Sequence, residues 1–136
     1  MLNIETERKF LVKDGSYKDM AVSSHRIIQG YVCKENGRTV RIRISDDRAY
    51  LTVKGPSADG ISRLEWEMEI AAEDAKDLLP LCQDGLIEKI RHIVPFKGKT
   101  FEVDEFLKDN AGLTVAEIEL ENKDESFSRP GWLSDE

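Results

Sequence analysis

The feature that most restricts the fold of this chain is a period of two that recurs in one stretch after another. Each such stretch has apolar residues on one side of an extended backbone and ionised residues on the other. In TVRIRI, Arg41 and Arg43 share a face while Val40, Ile42 and Ile44 share the opposite one, and in LEWEME, Glu65, Glu67 and Glu69 oppose Leu64, Trp66 and Met68. FEVDEF sets Glu102 and Asp104 against Phe101 and Val103, and AEIELE sets Glu117, Glu119 and Glu121 against Ile118 and Leu120. Lys89 and Arg91 project together from EKIRHI, Lys54 follows Thr52 in LTVK, and the opening ETERK places Glu5, Glu7 and Lys9 on one face. Turn-forming pairs such as Asn36-Gly37, Asp46-Asp47, Asp84-Gly85 and Lys97-Gly98 separate these stretches. Strands are expected at about 3–12, 26–34, 39–45, 49–54, 63–70, 87–95, 100–106 and 114–121. EDAKDLLPLCQ, Glu73 to Gln83, carries helical spacing that Pro80 should kink or shorten, and a shorter helix is expected from Ser16 to Val22.

A sheet with one solvated face also alternates, but ordinary solvent faces mix charge signs and use Ser, Thr and Gln freely. Here the faces are nearly all ionised and sorted by sign. Stretches at 41–43, 54 and 89–91 are basic, and those at 65–69, 102–104 and 117–121 are acidic. Like charges repeated along a face repel, so the sorting calls for something that neutralises it. A mainly β fold satisfies it: an eight-stranded antiparallel β-barrel with an ionic interior and an apolar exterior partly covered by a few helices. A barrel of that size encloses room for one small ligand. The basic faces suit a compact polyanion such as a chain of phosphates, and the carboxylates suit a hard divalent cation such as Mg²⁺.

At 136 residues the chain is expected to form a single domain over 1–136, large enough to need no disulfide or metal staple. The formal net charge of -7 argues against nucleic acid or an anionic membrane as partner. Cys33 and Cys82 have no metal-site or disulfide-framework spacing and are expected to be reduced and partly buried. MLNIETERKF lacks the apolar core of a signal peptide, which predicts a cytoplasmic protein. A second copy covering apolar barrel surface, a homodimer, is a further expectation.

Glu5-Thr6-Glu7-Arg8-Lys9 matches the ExExK signature of the CYTH superfamily, the triphosphate tunnel metalloenzymes. The remaining motifs follow in the order of its short bacterial members: Gln29-Gly30-Tyr31, TVRIRI, LTVKG, Arg63-Leu64-Glu65-Trp66-Glu67, IEKIRHIV, FEVDEF and AEIELE. The resemblance implies a tunnel that binds a triphosphate group, with Mg²⁺ or Mn²⁺ held by carboxylates. It implies Lys9, Arg41, Arg43, Lys54, Lys89 and Arg91 as phosphate-binding residues, Lys9 also helping to orient or activate an attacking water. Glu5, Glu7, Glu117 and Glu119 are implied as metal ligands, with Glu65, Glu67 and Asp104 as further candidates for the acidic side. The similar proteins continue beyond the tryptophan matching Trp132 into a segment packed near one tunnel mouth, whereas this chain stops at Glu136.

The expected activity is metal-dependent hydrolysis of inorganic triphosphate or a related triphosphorylated compound. The alternatives are a nucleotide-directed activity (adenylyl cyclase, nucleoside or thiamine triphosphatase) and a non-catalytic polyphosphate- or nucleotide-binding module. A pure anion binder has no use for carboxylates beside its ligand. His25 and His92 are expected to be structural or superficial.

Overall fold

A computed structural model describes residues 2–136. Eight strands run in chain order as β1 (Leu2–Leu11), β2 (Ser23–Glu35), β3 (Arg38–Ser45), β4 (Arg48–Lys54), β5 (Ser62–Ile70), β6 (Gln83–Phe96), β7 (Lys99–Phe106) and β8 (Thr114–Glu119). They close into an antiparallel barrel in the order β1-β5-β4-β3-β2-β6-β7-β8, with β8 returning to β1. The expected barrel is therefore present, and β2 and β6 are longer than the alternation alone suggested. Two-residue hairpins join β2 to β3 and β6 to β7. Asn36-Gly37 and Lys97-Gly98 both have positive φ at the two central positions, as a turn matching strand twist requires.

The helical segments are brief. Helix α1 spans Ala72–Leu78 and passes into a 3-10 turn, Leu79–Leu81, and a second 3-10 stretch covers Gly15–Met20. The expected helix through Gln83 ends early because Pro80 supplies no N–H to continue it, and Gln83 already belongs to β6. None of the described helices is long and apolar enough to cross a membrane.

The barrel's apolar cores lie outside its wall. One joins Phe10, Phe101, Val103 and Ile118, from the outer faces of β1, β7 and β8, to Tyr17, Trp132 and Leu133. The C-terminal stretch is held there by backbone bonds from Leu11 N to Asp135 O (2.7 Å) and Ser134 N to Leu11 O (2.8 Å). The other core packs Ala75 and Leu79 onto Ile42 and Ala49 of β3 and β4. Close approach on that flank depends on Gly30, where a Cβ would stand 2.7 Å from Cys82 Cβ and 2.8 Å from Leu86 Cδ2. Both cysteines are free and half-buried, as expected. Ile4, Leu64 and Met68 on the outer face of β1 and β5 remain exposed.

Candidate active site

With apolar packing placed outside, the alternation sends the charged side chains inward, and closure gathers them. Lys9, Arg41, Arg43, Lys54, Lys89 and Arg91 border one cavity of about 440 Å³ together with Glu5, Glu7, Glu117 and Glu119. Glu65 and Glu67 border it as well, whereas Asp104, fully buried against Lys89 and Arg91, does not reach it. The strand order also explains the sorting by sign. The contiguous strands β4, β3, β2 and β6 present Lys54, Arg41, Arg43, Lys89 and Arg91, while β7, β8, β1 and β5 present Glu102, Glu117, Glu119, Glu5, Glu7, Glu65 and Glu67. A cationic half-barrel thus faces an acidic one, with Lys9 on β1 and Arg63 on β5 as cations on the acidic side.

The cationic wall is anchored unevenly. Asp104, with 0% of its surface exposed, accepts Arg91 Nε and Nη2 at 2.8 Å each and lies 2.7 Å from Lys89 Nζ. Burial alone would raise the Asp104 carboxyl, but hydrogen bonding and charge from Arg91 and Lys89 outweigh it and hold the group below the usual range. Burial, helped by the charges of Arg91 and Arg43, pushes Lys89 down to about 8 despite Asp104. Arg43 is lowered to about 10 by burial and by Arg41 and Arg91. Arg41 donates from Nη2 to Thr52 Oγ1 at 3.3 Å, while its Nε is buried without a hydrogen-bond partner. A buried donor left unsatisfied is costly, so this wall is under-supplied with acceptors and suits an oxygen-rich anion.

The acidic wall has the complementary shortage. Burial, a hydrogen bond with Glu117 and the charges of Glu117 and Glu5 push Glu7 up to about 9. Two carboxylates can share a hydrogen bond only through a proton, and their crowding favours keeping one on the pair. Burial raises Glu117 too, but that bond and the charge of Arg91 keep it below the usual range. Glu5 receives Lys54 Nζ at 2.7 Å, and the same ammonium lies 3.6 Å from Glu65. Burial, with the charges of Glu5 and Glu102, raises Glu119. Carboxylates crowded enough to retain a proton fit a hard divalent cation, which would replace that proton. Among the described residues no three acidic, histidine or cysteine side chains are spaced to enclose an ion by themselves. An incomplete set of this kind suits a hard divalent cation that completes its shell with water and ligand oxygens.

A second cavity of about 280 Å³ shares Arg43, Glu67, Arg91 and Glu102 with the first and is bordered also by His25, Ile27, Ser45, Tyr50 and Ile93. His25, expected to be structural or superficial, borders this second cavity with Nδ1 2.6 Å from Asp46 Oδ2. His92 sits outside the barrel between Ser24 and Glu105. The sequence reading assigned no role to Gln29, Thr52, Arg63 or Phe106, all of which border the main cavity. Thr52 shares the parity of Lys54, and Arg63 that of Glu65 and Glu67, the signal that could have marked them.

The CYTH domain family matches residues 3–136. The chain is 45% identical over 133 residues to a protein of Acetivibrio thermocellus named inorganic triphosphatase, covering 97% of this chain and 84% of that protein. It is 29% identical over 136 residues to a protein of the same name from Nitrosomonas europaea, covering 97% and 87%. Among solved structures, that of the inorganic triphosphatase NE1496 superposes with a TM-score of 0.64 at 26% identity, over 96% of this chain and 87% of that one.

Proposed function

Because the chain belongs to the CYTH family, we propose that its tunnel binds inorganic triphosphate and hydrolyses it with a divalent metal ion held on the acidic wall. The observation that carries this reading is the division of one cavity into a cationic half and an acidic half. A plain anion binder needs only the first, and a plain metal site only the second.

In this reading Arg41, Arg43, Lys54, Lys89 and Arg91 bind the phosphate oxygens, the guanidinium forks fixing orientation and the ammonium groups adding point charge. Glu5, Glu7, Glu117 and Glu119 hold Mg²⁺ or Mn²⁺, which supplies Lewis-acid polarisation and neutralises charge on the phosphate chain. A water oxygen attacks the terminal phosphorus, the bridging P–O bond breaks, and pyrophosphate leaves as orthophosphate forms. The cationic wall stabilises negative charge on the leaving oxygens throughout that displacement. Lys9, whose side chain is 65% exposed and lies 3.9 Å from Glu7, orients the water from the acidic side.

A second reading rests on Tyr31, Ile87 and Phe106, which add apolar surface to the same cavity. A base carried on the triphosphate has a flat surface to meet there, favouring a nucleoside triphosphate. One assay separates the readings: phosphate release from inorganic triphosphate, ATP, GTP and thiamine triphosphate, with Mg²⁺, with Mn²⁺ and with chelator. Turnover of inorganic triphosphate that stops with chelator is the expected result. Binding without turnover in either metal leaves a binding module.

A further inference from the structure

The middle of the cationic wall holds a residue that carries no charge. Gln29 on β2 is 4% exposed and stands directly across from Arg43 of β3. On its other side is β6, which supplies Lys89 and Arg91. The Gln29 Oε1 accepts Arg43 Nε at 2.9 Å and Nη2 at 2.7 Å. Arginine has only donors, so this contact fixes which end of the amide faces it and turns the Nε2 donors away.

The comparison with Arg91 gives the amide its meaning. Arg91 is gripped through the same Nε and Nη2 edge, but by the carboxylate of Asp104. That grip fixes the guanidinium and also cancels much of its charge. Gln29 fixes Arg43 in the same side-on manner with a neutral oxygen, so the plane is set and the full positive charge is kept. Nη1 of Arg43 is not used in the contact and remains for the cavity that Arg43 borders.

We propose that Gln29 is a positioning residue for substrate binding, holding Arg43 oriented and uncompensated as the principal phosphate-anchoring guanidinium of the tunnel. This rests on the triphosphate reading above. It predicts that the acceptor's charge matters as much as its presence. A carboxylate at position 29 keeps the geometry but neutralises Arg43, whereas an isosteric apolar side chain keeps the packing but frees the guanidinium.

The test measures Kd for inorganic triphosphate in chelator, and KM and kcat with Mg²⁺, for the parent, Gln29→Glu, Gln29→Met, Arg43→Ala and the two double variants. Circular dichroism confirms folding. Both single Gln29 variants should raise Kd and KM by about tenfold, with kcat within about threefold, and should lose nearly all of that effect in the Arg43→Ala background. Unchanged Kd in Gln29→Glu overturns the proposal, as does an effect that persists undiminished without Arg43. Should Gln29→Met fail to fold, the near-isosteric Gln29→Glu cycle decides alone. Because Kd is read without metal or turnover, absence of hydrolysis in the parent defeats the hydrolase reading and leaves the Gln29 result interpretable.

Discussion

Arg91 and Asp104 face each other across the β6–β7 ladder as a side-on bidentate pair, two contacts of 2.8 Å with the carboxylate fully buried. Removing one member of a buried pair leaves the other charge uncompensated and costs about 3–5 kcal/mol. Asp104→Ala should therefore lower the thermal midpoint sharply and also weaken triphosphate binding, since Arg91 and Lys89 both lose their anchor. Unfolding by differential scanning calorimetry with and without triphosphate checks both effects.

Arg41→Ala removes a charge-assisted contact to phosphate of about 1.5–3 kcal/mol, a roughly ten- to hundredfold rise in Kd. Its buried, unpartnered Nε means that little native hydrogen bonding goes with it, so the fold should survive. Titration calorimetry with inorganic triphosphate measures the change.

Glu7→Gln keeps the shape of a metal-binding side chain without its charge, and turnover should fall by at least about a hundredfold, beyond the 10–100-fold typical of losing a ligand's supporting partner. Stability should move the other way with pH. The folded carboxyl titrates at about 9, above its ordinary 4.5, so its stabilising contribution is complete below about 4.5 and is lost as pH rises towards 9. In chelator the parent's thermal midpoint should drop across that window and that of Glu7→Gln should drop less, the gap widening with pH.

Lys89 titrates at about 8, so its charge fades as the pH passes that value. Triphosphate binding favours the charged form, and the affinity of the parent should decline from pH 8 to 9 relative to Lys89→Arg, which stays charged. Binding at pH 8.5 should also take up protons, seen as a dependence of the binding enthalpy on the buffer's ionisation heat.

Gly30→Ala places a methyl group against Cys82 and Leu86, and overpacking of this kind costs about 1–3 kcal/mol. The cost falls on the outer flank beneath α1, so KM should hold while the urea midpoint falls.

Much of this was legible in the sequence because strand alternation is a local property: the parity of Arg41 and Arg43, or of Glu117 and Glu119, can be read without knowing which strands pair. Strand order is not local. That β1 lies between β5 and β8, and β2 between β3 and β6, follows from long-range pairing, and this order turns sign-sorted strands into two opposed walls. Asp104 shows the limit most clearly. It has the parity of Glu102, which borders the cavity, and only its proximity to Arg91 reveals a buried anchor for a lining residue. Gln29 was hidden for a related reason, since its value comes from the charge it lacks at a position surrounded by cations.

Every strand of the closed barrel sends at least one polar or charged side chain to the same cavity, from Glu5 on β1 to Glu119 on β8. A polyanion bound with its metal would act as a drawstring, linking all eight seams through a single guest. Opening any seam would then require letting go of the guest, so ligand binding should slow amide hydrogen exchange around the full girth of the barrel, including strands whose own backbones never touch the ligand.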